Sequence, residues 1–242
     1  MFKNLESESL KELESLKNNE EWEKFTIAFY GETGAGKSTL IECLRLFFKE
    51  PEISNATKKA HAIFYVTKTP APPQKGEEGK EGTIEKIQKQ LDSQTEVYTL
   101  YNKPINSPRA LKDGLIDENE KESLRDLNEK MKAILGKHYE GYKAVSTQAA
   151  FYGLSSALLL ETDFYKDKQK FLKIFKEEEL LLYKSNFKQL GEFIAGTLLE
   201  NSRKKIMESN CNKALKVIEK LQKAITTTIE QRDKFNYQRN KG

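Results

Sequence analysis

Gly31-Glu32-Thr33-Gly34-Ala35-Gly36-Lys37-Ser38 is the stretch that decides how this chain folds. It fits the pattern G-x-x-x-x-G-K-[ST], in which a glycine-rich turn carries a lysine and a hydroxyl residue to the start of a helix. An apolar run over residues 25–30 precedes it, and a helical pattern over 39–48 follows it. Strand, glycine loop and helix in this order are the context that the pattern requires, so the octapeptide predicts a P-loop.

The residue types in this loop predict how it would hold phosphate. Glycine permits backbone conformations that are closed to other residues, so backbone N–H groups can approach an anion. Lys37 would place its charge on the outer phosphates, and the hydroxyl of Ser38 would ligate Mg²⁺. The start of the helix adds free N–H groups and the positive end of its dipole. The predicted phosphate-binding residues are Gly31, Glu32, Thr33, Gly34, Ala35, Gly36, Lys37, Ser38 and Thr39.

Composition excludes several classes of protein. The chain has 242 residues, long enough for one α/β domain and a helical region. Its 41 basic and 37 acidic residues are interleaved and leave a net charge of only +4, which argues against a nucleic-acid partner. Two cysteines suit a reducing compartment, and two histidines offer no metal cluster. No apolar stretch approaches the length of a membrane span. We predict a cytoplasmic protein, with peripheral contact to a membrane as an open alternative.

Outward from the loop, β-branched and apolar runs alternate with helical patterns. Strands are predicted at 25–30, 61–67, 95–101 and 141–145, and helices at 37–49, 83–92, 119–136 and 148–160. This alternation predicts an α/β fold of the P-loop NTPase type, with a reduced, mostly parallel sheet flanked by helices. Ligands of such sheets bind at the carboxyl ends of the strands.

Both ends of the chain read as helix. Residues 1–22 form a charged helical pattern, and helices are predicted at 166–184, 187–208 and 210–234. The predicted domains are an N-terminal helix over 1–22, a nucleotide-binding domain over 23–163 and a helical region over 164–242. A coiled-coil-like repeat with spacings of four and three runs through Met207, Cys211, Ala214, Ile218, Leu221, Ile225 and Thr228. Its shortness favours an antiparallel pair with the N-terminal helix over pairing between chains.

Two further loops follow predicted strands. Asn102-Lys103-Pro104-Ile105 resembles the N-K-x-D motif of GTP-binding domains, in which Asn and Lys frame the purine and Asp accepts two hydrogen bonds from guanine. Ile105 stands at the Asp position and cannot accept a hydrogen bond. The loop at Ser146 and Thr147 resembles the segment of the same domains whose backbone N–H contacts the base oxygen. This resemblance implies a base-binding set of Asn102, Lys103, Ser146 and Thr147.

Taken together, the P-loop and the segments Ala60–Val66, Thr95–Lys103 and Tyr142–Gln148 resemble, in order, the G domain of bacterial dynamin-like and related translation-factor-class GTPases. Ser185–Ile194 is similar to the segment that leads into the neck of that group. The resemblance implies GTP or GDP with Mg²⁺ as the ligand, and a GTPase activity. It also implies self-association or a protein partner through the C-terminal helices.

One departure from that family is large. Its switch I and D-x-x-G segment need several tens of residues, whereas only residues 50–60 separate the P-loop helix from the next strand region. Acids that could replace the missing Asp are Glu161 and Asp163 after the run 157–160, and Asp117 after Gly114. The first run is rich in Ala and Leu, which favours helix. Ser38 is therefore the only metal ligand that we predict, the catalytic residues are unknown, and we expect weak hydrolysis.

The same departure affects the sheet. In the related fold the missing strands lie beside the first strand, so 25–30 becomes an edge that helices or a second chain must cover. Two alternatives to a dynamin-like GTP-binding protein stay open. One is a P-loop ATPase of another class, which Ile105 favours. The other is a pseudo-GTPase that does not hydrolyse nucleotide and acts as a helical interaction protein.

Overall fold

A computed structural model of the chain describes residues 25–49, 60–73, 75–76, 81–91, 95–156 and 162–239, and the single helical positions Ser7, Leu10, Lys11 and Glu14. Four strands form one parallel sheet in the order β1-β2-β3-β4. They are β1 Ile27–Tyr30, β2 Ala62–Thr67, β3 Glu96–Asn102 and β4 Tyr139–Val145. The predicted α/β fold with a parallel sheet is confirmed, and β1 lies at an edge of the sheet that the described residues form.

Helices connect the strands and then continue to the C-terminal part of the chain. They are α1 Lys37–Phe48, α2 Thr83–Gln90, α3 Glu118–Leu135, α4 Thr147–Leu154, α5 Asp163–Phe175, α6 Glu178–Lys184, α7 Phe187–Glu192 and α8 Leu199–Arg239. A π-helical turn, Phe193–Leu198, joins α7 to α8. Short 3-10 turns lie at Pro108–Leu111 and Gly136–His138.

The sheet is covered on both faces. Every residue of β2 is buried, as is typical of an inner strand in a parallel sheet with helices on each side. On one face, Ile63 and Tyr65 of β2 pack with the buried residues of α2 and α3. On the other face, the ring of Phe64 stacks between Phe29 and Tyr98, at centroid distances of 5.7 and 5.5 Å. This two-sided core holds the carboxyl ends of the strands in fixed positions.

The start of α3 shows the role of Asp117, one of the acids considered as a replacement for the missing Asp. Asp117 caps this helix: its carboxylate accepts from the backbone N–H of Glu120 at 2.8 Å, and the Glu120 carboxylate accepts from the N–H of Asp117 at 3.0 Å. Residues 114–116 are not a strand. Asp117 is thus a helix cap, because its side chain is held by the capping box rather than aimed from a strand end.

Helix α4 is shorter than predicted. It ends at Leu154, since Ser155 has extended dihedral angles of φ −80° and ψ 105°. The predicted continuation through residue 160 is wrong as far as Ser156, and residues 157–161, with Glu161, lie outside the described residues. Asp163 is the exposed first residue of α5.

The predicted helix over 166–184 is also wrong, because it is two helices. Lys176 has a positive φ of 63°, and α6 starts after Glu177 with Glu178 and Glu179 in its first turn. Acidic side chains are favourable there because they face the positive end of the helix dipole. The turn brings Phe175 and Leu181 into the same buried cluster.

In the C-terminal part of the chain, one helix is found where two were predicted. Residues 199–239 form one uninterrupted helix where a break near residue 209 was expected, because no Gly or Pro interrupts the sequence there. The repeat predicted on this helix is not one buried seam. Ala214 and Leu221 are partly buried beside the buried Val217, whereas Cys211, Ile218 and Ile225 are exposed.

Contacts divide the chain into two compact units, residues 26–200 and residues 1–25 with 201–242. The first unit contains the whole sheet and α1–α7. The domain limits at 22/23 and 163/164 stay predictions, and most of the predicted helix over 1–22 lies outside the described residues. None of the helices that the structure describes combines the length and apolar character needed to span a bilayer.

Candidate functional site

The P-loop fits tightly against the ends of two neighbouring strands. Gly31 has φ 152°, and a Cβ atom there would lie 2.1 Å from the carbonyl oxygen of Val66 in β2. Gly36 has φ 92°, and a Cβ atom there would lie 2.2 Å from the side-chain nitrogen of Asn102 at the end of β3. Neither position has room for a side chain. Gly31 and Gly36 therefore serve the packing of the loop onto the sheet as well as its conformation.

The outer surface of the loop is open and lies at the start of α1. Gly36 caps this helix without a side-chain hydrogen bond, and no acidic residue lies in the first turn. The first hydrogen bond into the helix runs from Leu40 N–H to the Gly36 carbonyl, at 2.9 Å. Within the described residues, no protein acceptor takes the backbone N–H groups of Gly36, Lys37 or Ser38. Free N–H groups and an uncompensated helix dipole make this surface suited to an anion.

Lys37 lies across the loop. Its Nζ atom donates to the carbonyl oxygens of Gly31 and Glu32, both at 2.8 Å. A lysine ammonium has three donors, so one remains for another acceptor. The side chain thus brings a positive charge to the exposed side of the loop.

Asn102 ties the loop to the rest of the sheet edge. Its Nδ2 atom donates to the carbonyl oxygen of Ala35 at 2.9 Å, and its Oδ1 atom accepts from both the N–H and the hydroxyl of Thr147 at 3.0 Å. The side chain is only 4% exposed. Three loops, after β1, β3 and β4, are therefore joined through one buried amide, as expected where the carboxyl ends of parallel strands meet.

The other predicted base-binding residues also have protein partners. Ser146 is buried; its hydroxyl accepts from Ala149 N–H at 3.4 Å, and its own N–H donates to the Ser185 carbonyl at 3.0 Å. Lys103 pairs with Glu120 at 2.5 Å. The base-binding role of Asn102, Lys103, Ser146 and Thr147 stays a prediction, and their contacts show what holds the loops in place.

The Lys103–Glu120 pair also involves Tyr101, whose hydroxyl donates to Glu120 at 3.2 Å. Burial, followed by the charge of Glu120, raises the pKa of Tyr101 to about 12. Tyr101 therefore stays neutral and acts as a hydrogen-bond donor at neutral pH.

Ile105, at the position of the guanine-reading Asp, is a core residue. Its side chain is 1% exposed and packs in a cluster with Leu111, Tyr152 and Phe171. The backbone after Lys103 thus turns this position into the protein, away from the surface where a base could bind.

The strand beside the P-loop ends without an acid. Thr67, the last residue of β2, donates its hydroxyl to the Thr69 carbonyl at 2.7 Å, and residues 68–73 contain no Asp or Glu. Ser38 and Thr39 are exposed beside the loop. In the part of the chain that the structure describes, no group of three or more His, Cys, Asp and Glu side chains could hold a metal ion. A divalent ion at this site would thus depend on Ser38 and on the phosphates themselves.

The sequence matches the AAA domain family over residues 23–233, a range that includes the P-loop, the sheet and most of α8. The chain belongs to the AAA domain family. The AAA domain is of the P-loop NTPase type, which confirms that part of the sequence-based resemblance and does not show the dynamin-like class. No curated protein matches the chain significantly. In this AAA domain, the contacts that sequence reasoning missed are those of Asn102 with Ala35 and Thr147; the only signal for them was a polar residue at each strand end.

Proposed function

We propose that this AAA domain binds a nucleoside triphosphate with Mg²⁺, and that its affinity comes mainly from the phosphates. The observation that carries the proposal is the open P-loop surface, where the N–H groups at the start of α1 have no acceptor among the described residues and Lys37 brings its ammonium onto the same loop. Oriented N–H groups together with a fixed positive charge are the arrangement that polyphosphate requires.

The residues of the loop would have separate roles in binding the nucleotide and the metal. The N–H groups of Gly36, Lys37 and Ser38 would donate to phosphate oxygens, and Lys37 would turn from the carbonyls of Gly31 and Glu32 toward the outer phosphates. The hydroxyl of Ser38 would ligate Mg²⁺, with water and phosphate oxygens in the other positions. The metal would neutralise charge on the outer phosphates.

The base should be selected only weakly. Ile105 offers no carboxylate to guanine, and both the nitrogen and the oxygen of the Asn102 amide already bond to protein groups, on Ala35 and Thr147. Without a buried polar group that one base satisfies and the other leaves unpaired, discrimination is small. We expect ATP and GTP to bind within about tenfold of each other, a difference of about 1.4 kcal/mol. Membership of the AAA domain family is compatible with ATP as the nucleotide.

A dynamin-like GTP-binding protein is the second candidate. The contacts that favour it are those of Asn102, which connect the P-loop to the Ser146–Thr147 loop in the order of the G-domain resemblance. In that case, a base seated over these loops would be guanine, read by backbone groups rather than by a carboxylate.

Hydrolysis should be slow in either case. Phosphoryl transfer needs a metal bridging the outer phosphates and a group that orients the attacking water. At the end of β2, next to the loop, an acid could ligate the metal or orient the water. Thr67 occupies this position instead, and its hydroxyl donates to the carbonyl oxygen of Thr69. A protein that binds nucleotide without efficient turnover would use it to order the loops, as the pseudo-GTPase alternative supposes.

Titration calorimetry with ATP, GTP, ADP, GDP and tripolyphosphate, each with and without Mg²⁺, tests the proposal. We expect Mg²⁺-dependent binding of both triphosphates, displacement by tripolyphosphate, and little phosphate release in a parallel assay. Absence of binding to any triphosphate at millimolar concentration would refute the site. A preference for GTP of a hundredfold or more would contradict weak base selection and would favour the dynamin-like candidate.

A further inference from the structure

We propose that helix α8 carries a docking surface for a second copy of this chain, and that the two α8 helices pair antiparallel. The surface, called here the outer seam, consists of Cys211, Leu215, Ile218, Gln222, Ile225 and Ile229. The proposal concerns residues 201–239 only and does not depend on nucleotide binding.

The outer seam has the spacing of a coiled coil, and all six of its side chains are exposed. Its members follow one another at intervals of four and three residues, and they span about 27 Å at 1.5 Å per residue. Leu215, Ile218, Ile225 and Ile229 are 44–54% exposed. Large aliphatic side chains that repeat in register on one helix face and remain exposed indicate an interface.

A separate stripe of α8 is already covered. It consists of Ala214, Val217, Leu221 and Ala224, of which Val217 is 5% exposed. At 100° per residue this inner stripe lies about 100° around the helix from the outer seam. Together the two stripes form an apolar arc wider than the stripe of about 100° with which a helix usually faces its core. Within its unit, the inner stripe is buried or partly buried, whereas every member of the outer seam is exposed.

The outer seam is complementary to itself. A two-fold axis at Lys220 pairs each member with another member: Cys211 with Ile229, Leu215 with Ile225, and Ile218 with Gln222. Glu208 lies one turn before the seam and Arg232 one turn after it. The same axis places Glu208 of each copy opposite Arg232 of the other, so each end of the seam has one pair of opposite charges. A surface that maps onto itself under a two-fold rotation is what a symmetric dimer requires.

The charges also select the orientation. Parallel pairing would set Glu208 against Glu208 and Arg232 against Arg232, with repulsion at both ends of the seam. Antiparallel pairing replaces these with two attractive pairs. One contact between like charges remains in the antiparallel pair: Glu219 lies near Glu219 of the second copy, close to the axis. Lys216 and Lys223 lie within about one turn of Glu219 on the same helix, so they reduce this repulsion.

Sedimentation of the full chain over a range of concentrations tests the interface. We expect a monomer–dimer equilibrium that Ile218→Glu or Ile225→Glu weakens by roughly tenfold or more, because each buries a charge in the seam. Thr227→Glu is the matched control: it places the same charge on the opposite, exposed face of α8 and also replaces a β-branched residue. Helix content from circular dichroism should be unchanged in all three variants.

Four further variants identify the partner and the orientation. Glu208→Arg or Arg232→Glu should weaken the dimer by a few-fold, and the double variant E208R/R232E should restore it. With Ile229→Cys, mild oxidation by a disulfide reagent should cross-link Cys211 to position 229 of the second copy. A chain that stays monomeric to millimolar concentration, or a dimer insensitive to Ile218→Glu, would overturn the proposal. A dimer of the unaltered chain that cross-links through Cys211 on both copies would overturn the antiparallel orientation.

Discussion

The side-chain amide of Asn102 donates a hydrogen bond to the carbonyl oxygen of Ala35, 67 residues earlier in the chain, at 2.9 Å. The same amide accepts from the N–H and hydroxyl of Thr147. Because this buried amide bonds to both neighbouring loops, it couples the positions of the three loops at this edge of the sheet. The conformation of the P-loop thus depends on a residue that lies outside the motif.

Replacing Asn102 should therefore weaken both the fold and nucleotide binding. Asn102→Ala leaves the Ala35 carbonyl and two donors of Thr147 without a partner, and each buried group left unpaired costs about 1–3 kcal/mol. Asn102→Asp should be no milder, because it sets an oxygen against the Ala35 carbonyl. Asn119→Ala, at an exposed position of α3, is the control and should change the free energy of unfolding little. Urea unfolding and titration calorimetry measure the two effects; an Asn102→Ala protein with unaltered stability would contradict the role of this side chain.

Gly36→Ala should damage the site more than backbone strain alone explains. The new Cβ would meet the Asn102 side chain at 2.2 Å, in addition to the cost of a positive φ, about 1–2 kcal/mol for a non-glycine residue. Gly114→Ala is the matched control, since Gly114 has φ 121° and no atom within 4 Å of the added Cβ. We expect Gly114→Ala to lose stability but to keep nucleotide affinity, and Gly36→Ala to lose both. Equal affinities for the two variants would argue against the packing of Gly36 on Asn102.

Lys37→Ala should weaken triphosphate binding by about 1–3 kcal/mol or more, the loss of a charge-assisted hydrogen bond to phosphate. The expected effect on stability is smaller, because the bond to the Glu32 carbonyl is exposed and the bond to the Gly31 carbonyl is only partly buried. Lys68→Ala removes an exposed lysine just after β2 and serves as the control. Calorimetry with Mg²⁺-ATP compares the two; unchanged affinity in Lys37→Ala would move the phosphates away from this loop.

Ile105→Asp should unfold the protein rather than create a guanine site. The position is buried in an apolar cluster, so an ionised carboxylate there costs several kcal/mol, whereas Ile105→Val costs about 0.5–1.5 kcal/mol. Burial would raise the pKa of the introduced Asp, so the folded state would bind more protons than the unfolded state. The loss of stability should accordingly grow as pH rises above the ordinary range of Asp and shrink in acid. Denaturant unfolding at pH 4 and pH 7 checks this; a stable variant that prefers GTP would show that the loop can turn outward.

The local features of the P-loop and of the strand ends could be predicted from the sequence, because glycines, a lysine and β-branched runs act over a few residues. Their meeting at one edge of the sheet also follows, since parallel strands share the direction of their carboxyl ends. The partners of Asn102 could not be predicted. An amide at a strand end can face a base or a carbonyl, and only the packing of Gly36 against it decides between them.

The helices show the same limit. The break at Lys176 does not follow from helix propensity, because burial of Phe175 with Leu181 decides it, whereas the continuity of α8 past residue 209 agrees with a sequence that has no Gly or Pro there. On α8, a single repeat was predicted where two stripes exist. Alternating spacings of four and three place Ala214, Ile218 and Leu221 in one repeat. In the structure, Ala214 and Leu221 are partly buried, whereas Ile218 is exposed.

The two cysteines should differ sharply in reactivity. Cys43 is buried in α1, and burial followed by the charge of Glu42 raises the pKa of its thiol to about 12, so almost no thiolate forms at neutral pH. Cys211 is exposed on α8. A chromogenic disulfide reagent at low protein concentration should modify one thiol rapidly and the second slowly, and denaturant should make both reactions rapid. Cys211→Ala should abolish the rapid phase.

The slow phase then reports on the site. The Sγ atom of Cys43 lies 3.5 Å from the Thr147 carbonyl, on the residue that Asn102 holds, so reagent reaches this thiol only when α1 separates from the start of α4. Asn102→Ala should make such opening more frequent and speed the modification of Cys43, and Mg²⁺-ATP should slow it by stabilising the closed loops. Rapid modification of both thiols in the native protein would mean that the contact between α1 and α4 is not maintained in solution.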